Sequence, residues 1–185
     1  HVLVLVAKSF LFLKGWKVIG DPPEEKKYIF IAAPHTSNWD FFLGILAALS
    51  INLKFKFIIK KEWNKPIIGS ILIKLGAIFI DRSQKSGVTT TIIEMLNKLN
   101  EGHIIFTPEG TRAKRSQWKS GFYHIAQKTK LPISIAYIDY KKKILGVHEV
   151  FYTTGNIQKD CDLMRSFYKN VTPKNKKNYD PNWKI

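Results

Sequence analysis

The chain has 185 residues, 45% of them hydrophobic, and a formal net charge of +16. That is one folded domain, residues 1–185, with length enough for a substantial core. A lone cysteine, Cys161, excludes an internal disulfide framework, and no Cys/His cluster has zinc spacing.

The charge calls for anionic partners: nucleic acid, acidic lipid or a phosphorylated substrate. A lysine-rich composition bias competes with that reading, because 26 of the basic residues are Lys and only four are Arg. The arginines are then the informative cations, since a planar fork grips phosphate or carboxylate where lysine offers a point charge.

Residues 1–15 open on an apolar run that Lys8 breaks. The run falls short of the roughly 18 apolar residues of a spanning helix. Val6, Phe10 and Leu13 share one helical face, away from Lys8 and Lys14. Such a helix either lies in a membrane interface or packs on the core. No small-residue cleavage site follows, so a cleavable leader is not expected.

Strands are predicted at 17–20 and 28–32. The second runs into Ala33-Pro34-His35-Thr36-Ser37-Asn38-Trp39-Asp40. Ser37 suits the N-cap of a helix over 38–51, and Asp40 then falls at the third helical position, a capping-box pairing. On one continuous helix His35 and Asp40 would sit about 140° apart and never meet. With His35 ahead of the helix, its ring can fold back over the first turn. Imidazole titrates near neutrality, so beside a fixed carboxylate it can serve as a general base. The plainer alternative is that Ser37 and Asp40 only cap the helix.

A strand at 55–59 and a helix at 66–75 precede a strand at 77–80 that ends in Asp81-Arg82-Ser83. Arg82 emerges at that strand's end, as an anion-binding fork or as a surface ion pair. After a helix at 87–100, a strand at 103–106 enters Thr107-Pro108-Glu109-Gly110-Thr111-Arg112. Gly110 permits a tight turn, whose N–H groups can meet a phosphate or a developing oxyanion. Arg112, Lys114, Arg115 and Lys119 add positive charge, although an ordinary strand-to-helix turn would read the same way. A helix at 118–129, strands at 133–139 and 144–147, and a helix at 160–170 follow. Residues 172–185 form a polar tail rich in Lys, Asn and Pro, expected to wrap the surface or stay disordered.

This alternation specifies an α/β domain with a largely parallel or mixed central sheet flanked by helices. Ligands collect at the carboxyl ends of such strands, where the unusual stretches fall. Taken together in this order, the stretches resemble the glycerolipid acyltransferase family, typified by 1-acylglycerol-3-phosphate (lysophosphatidate) acyltransferases. Its H-x4-D block is matched by His35 and Asp40. A block of apolar strand plus Arg is matched by Gly76, Phe79, Ile80 and Arg82. A block reading F-P-E-G-T-R is matched by Pro108 to Arg112, and a Pro after an apolar position by Leu131-Pro132. The likeness covers residues 28 to 140, with Trp118-Lys119-Ser120-Gly121 where many members carry a basic continuation. Pro34 stands where many members have Asn, and Thr107 separates Phe106 from Pro108.

The resemblance implies a glycerolphosphate-acyltransferase-like fold and acyl transfer from a thioester on coenzyme A or acyl carrier protein. The acceptor is the free hydroxyl of a lysophospholipid, first of all 1-acylglycerol-3-phosphate. It assigns His35 and Asp40 to catalysis. Ser37, Asn38, Arg82, Glu109, Gly110, Thr111, Arg112 and Lys119 go to the substrates. It implies no cofactor, no metal and a peripheral place on the cytoplasmic face of a membrane. No G-x-S-x-G elbow exists and Cys161 is distant in sequence from every block, so direct transfer fits better than an acyl-enzyme. Two other readings are a different acceptor, such as another lysophospholipid or an acylated amino-acid lipid, and a non-enzymatic basic membrane binder. No nucleic-acid motif is present.

Overall fold

A computed structural model describes residues 2–81 and 87–185. Its elements are α1 (Val2–Leu13), β1 (Lys17–Ile19), β2 (Lys27–Ala32), α2 (Asn38–Ser50), β3 (Phe55–Lys60), α3 (Pro66–Lys74) and β4 (Ala77–Ile80). They continue with α4 (Val88–Lys98), β5 (Gly102–Phe106), α5 (Gly121–Thr129), β6 (Ile133–Asp139), β7 (Ile144–Phe151) and α6 (Ile157–Tyr168). The strands form one sheet in the order β1-β7-β6-β2-β5-β3-β4. Every pairing is parallel except β6 with β7, so β1 and β7 run against the other five strands and the sheet is mixed.

The two faces of β2 have separate partners. Ile29 and Ile31 join Ile104, Ile133 and Ile135 in a core closed by Ile92 and Leu96 of α4, Phe122 and Ile125 of α5, and Met164 and Tyr168 of α6. Tyr28 and Phe30 point the opposite way, with Tyr28 stacked on His103. Burial on both faces is why β2 is continuously apolar rather than alternating. A smaller cluster of Leu11, Leu43 and Leu145 ties α1 and α2 to β7.

The connections around β2 and β5 run in opposite directions. From β2 the chain crosses through α2 to β3 on one side; from β5 it crosses through α5 to β6 on the other. Neighbouring strands whose connections diverge open a crevice at their carboxyl ends, the usual ligand position in an open α/β sheet. The register Ile31↔Phe106 brings the His35 loop and the Glu109 loop to that crevice together.

Three of the boundaries that differ from the sequence pattern do so for identifiable reasons. α5 starts at Gly121 rather than 118, because Trp118 N–H donates to Lys184 O and Lys119 N–H to Pro108 O. α6 starts earlier, at Ile157, because the Asn156 side chain caps the Lys159 N–H. β7 continues to Phe151, paired with Ile133 across an irregular register. The tail is neither free nor loosely draped. Trp183 is wholly buried and stacks on Trp118 with ring centroids 3.4 Å apart and planes within 5°.

α1 packs on the core through one stripe and leaves other apolar residues exposed. Ala7 and Leu11, one turn apart, are its buried stripe, and Leu11 packs with Leu43 of α2. Val6 and Leu13, grouped with Phe10 on one face by the sequence pattern, are exposed.

Candidate active site

The site is built first from the cap of α2. Ser37 has extended backbone and its Oγ accepts the Trp39 N–H, while Asp40 closes the capping box from the third helical position. Asp40 Oδ2 accepts the N–H groups of Thr36 at 2.7 Å and Ser37 at 2.8 Å. The same oxygen lies 3.4 Å from His35 Nδ1, so the ring does fold back over the first turn. Capping and pairing with His35 are therefore not rival arrangements; one carboxylate does both. Its other oxygen, Oδ1, accepts the Tyr140 hydroxyl at 2.6 Å. Burial opposes charge on Asp40, but His35, Tyr140 and the two backbone donors outweigh it and hold the carboxyl below its ordinary value.

The second wall comes from the end of β5. Gly110 has φ +64°, a left-handed conformation that suits glycine, and its N–H donates to Thr107 O at 2.9 Å. That N–H closes the turn and is spent there. A Cβ on Gly110 would fall 2.9 Å from Lys119 Cε and 3.0 Å from Nζ, so the glycine lets the Lys119 side chain lie across the turn. Glu109 is only 7% exposed, and its Oε2 accepts the backbone N–H of His35 at 2.7 Å. Burial, helped by the Asp40 charge, pushes this carboxyl up to about 8 despite the His35 bond. Its other oxygen, Oε1, is buried with no hydrogen-bond partner among the described residues.

The crevice thus unites His35, Ser37, Asp40, Glu109, Gly110 and Lys119. Thr111 Oγ1 accepts the Ala113 N–H at 3.3 Å, and Arg112 is exposed just beyond the turn. Asn38, the first residue of α2, is exposed and lines an open apolar pocket of about 400 Å³ with Phe10, Trp39 and Phe42. Arg82 lies outside the described residues. Another depression, lined by Lys130, Leu131 and Gly155 among others, sits at the amino end of β6, the opposite end from this crevice. Cys161 is buried in the core, where desolvation raises its thiol.

Residues that sequence reasoning passed over also meet here. Tyr140 follows β6, and Asn175 lies in the tail, where it donates to Thr36. Lys174 holds its ammonium 4.8 Å from the Trp39 ring centroid and 5.8 Å from that of Tyr140. A tyrosine ending a strand was the only signal for the first; the tail residues had none, because pairing across 139 positions leaves no local pattern.

Comparison with known proteins gives a consistent result. A 1-acyl-sn-glycerol-3-phosphate acyltransferase of Saccharomyces cerevisiae is 31% identical over 125 residues, covering 63% of this chain and 40% of its own. One from Cocos nucifera is 42% identical over 84 residues, covering 41% of this chain and 27% of its own. The chain thus spans less than half the length of these relatives. The crystal structure of the 1-acyl-sn-glycerophosphate (LPA) acyltransferase PlsC from Thermotoga maritima superposes with a TM-score of 0.61 at 21% identity. That match covers 93% of this chain and 80% of the other, and it establishes a shared fold. The Acyltransferase family model matches residues 17–138, from β1 to the penultimate residue of β6 and so across both walls of the crevice, and the chain belongs to the acyltransferase family.

Proposed function

We propose that the chain transfers an acyl group from a thioester, on coenzyme A or acyl carrier protein, to the free hydroxyl of a lysophospholipid. The preferred acceptor is 1-acylglycerol-3-phosphate, which gives phosphatidate. The observation that carries this reading is the approach of His35 Nδ1 to Asp40 Oδ2 at 3.4 Å, in the crevice between β2 and β5. With Nδ1 turned to the carboxylate, Nε2 is the nitrogen that takes the hydroxyl proton. The acceptor oxygen then attacks the thioester carbonyl and a tetrahedral oxyanion forms. The carbon–sulfur bond breaks, and the departing sulfur takes the proton back from the imidazolium. Asp40 stabilises that cation while it lasts. No covalent acyl-enzyme is needed, in keeping with the burial of Cys161.

Arg112 and Lys119 flank the Gly110 turn and are the cations for the acceptor phosphate, with Arg82 as a third on the strength of its sequence position. Ser37 and Asn38 border the acceptor's path at the head of α2. Glu109 acts from beneath, as a strut for the His35 loop. The apolar pocket of Phe10, Trp39 and Phe42 suits an acyl chain.

The reading includes a membrane face. No helix among the described residues is long and apolar enough to cross a bilayer. Yet α1 exposes Leu3, Phe12 and Leu13, and α3 exposes Ile67, Ile68, Ile71 and Ile73. Lysines 8, 14, 60, 61, 65 and 74 neighbour these residues in sequence, the mixture that favours an anionic interface such as a cytoplasmic leaflet.

An acyl-coenzyme A thiol-release assay tests the proposal. Release should require lysophosphatidate, and His35→Ala should lower turnover about 10²–10⁴-fold, the usual worth of a general base. Release that ignores the lysolipid, or a folded His35→Ala variant near wild-type activity, overturns it.

A further inference from the structure

The last residues of the chain reach the site from a direction no motif announces. After α6 the backbone crosses the head of α2. Thr172 O accepts the N–H of Tyr140 at 2.9 Å. Lys174 lies over the rings of both Trp39 and Tyr140. Asn175 then makes two bonds to one residue: its N–H donates to Thr36 Oγ1 at 3.2 Å, and its Nδ2 donates to Thr36 O at 2.8 Å. Thr36 is the buried residue directly after His35.

Both contacts converge on one carboxylate. Thr36 N–H donates to Asp40 Oδ2, and Tyr140 OH donates to Asp40 Oδ1. The segment 172–175 therefore backs two of the groups that hold Asp40, one at each carboxylate oxygen. A segment that served only to seal the chain end would need no more than Trp183 and its stack on Trp118. Instead Asn175 directs its backbone N–H and its side-chain amide to the loop that carries His35. Burial and the bond to Asp40 keep the Tyr140 phenol protonated, so it acts as a donor throughout.

We propose that this carboxy-terminal strap, through Asn175 and through the Tyr140 side chain it backs, is the positioning clamp of the His35–Asp40 pair. Asn175 and Tyr140 touch no reacting atom; they fix the angle at which the carboxylate presents itself to the imidazole. The inference rests on the reading of His35 as the base.

The experiment compares Tyr140→Phe and Asn175→Ala with wild type, and Tyr140→Phe again in an Asp40→Asn background. A radiometric acyl-transfer assay with each substrate varied in turn gives kcat and both KM values, and thermal melting confirms the fold. Each single variant should lose about 3- to 10-fold in kcat, the scale of one hydrogen bond, with both KM values within about twofold. Tyr140→Phe should add no further loss once Asp40 is Asn, because the path through the carboxylate is already broken. An equal loss in both backgrounds overturns the proposal and makes Tyr140 an independent structural contact. So does full activity of both single variants in a chain that His35→Ala inactivates, and the base reading then survives. An inactive wild type overturns the base reading itself, and the clamp with it. If Tyr140→Phe fails to fold, Asn175→Ala still decides, since it is near the surface and leaves the Asp40 bonds in place.

Discussion

Asp40 occupies a position where two explanations of one residue coincide. It closes the capping box of α2 from the third helical position, and it is the carboxylate facing His35. Asp40→Asn separates the two, because an amide oxygen still accepts the Thr36 and Ser37 N–H groups while the charge is gone. We expect little change in melting temperature and a fall in kcat of about 10²–10⁴-fold. A capping role alone predicts retained activity. Glu109 supplies a second measurement. Its carboxyl is held up to about 8 against an ordinary 4.5, so the folded state binds its proton more tightly than the unfolded state does. The stability contributed by that protonated form is complete below pH 4.5 and is lost as pH rises toward 8. Glu109→Gln keeps the acceptor for the His35 N–H without the ionisation. Melting curves between those two pH values should show wild type falling roughly 10 °C further than the variant. Parallel curves would mean that Glu109 is ionised in the folded protein.

The elements differ in how far their sequence discloses them. β2, β5 and β6 are short apolar runs bounded by turn residues, and their pattern and their structure agree within a residue. α3 was legible as a helix, from Pro66 at its first position, but not as a surface. Its apolar residues suggest a core helix, yet only Gly69 and Leu72 are buried, while Ile67 is 77% exposed and Ile71 55%. Periodicity cannot reveal this, because four isoleucines on nearly every side leave no polar face to mark solvent. The exposed set is larger than solubility requires, and such patches mark interfaces. Replacing Ile67 and Ile71 together by Asp should leave the melting temperature nearly unchanged. It should cut co-sedimentation with anionic vesicles several-fold, and with neutral vesicles less in absolute terms. The same logic makes Phe12→Asp a better probe of α1 than deletion, which would also remove the buried stripe of Ala7 and Leu11. Unchanged sedimentation by both variants would overturn the proposed membrane face.

At the scale of the whole molecule, what could be read from sequence is what local chemistry dictates. His35, Asp40, Glu109 and Gly110 announce themselves because a cap, a turn and a strand end each leave a short pattern, and the register of β2 with β5 then brings them together. Arg82 has that kind of signal too, although it lies outside the described residues. What could not be read is what chain closure dictates. Lysine and asparagine dominate the tail and suggest disorder, yet Trp183 within it is wholly buried, and Lys184 exchanges backbone hydrogen bonds with Ser116 and Trp118. One aromatic residue outweighs a polar composition when a matching slot exists, and the slot is made by residues nearly seventy positions away. The consequence is measurable. Trp183→Ala removes a fully buried indole at a cost of about 3–5 kcal/mol, which for a domain of this size lowers the melting temperature by roughly 10 °C. Trp183→Phe keeps an aromatic face against Trp118 and should lose less than half of that. Because the same strap carries Asn175 to the His35 loop, Trp183→Ala should also lose turnover at temperatures where circular dichroism still reports a native fold. A disordered tail predicts the opposite on both counts: an unchanged melting curve and unchanged kcat.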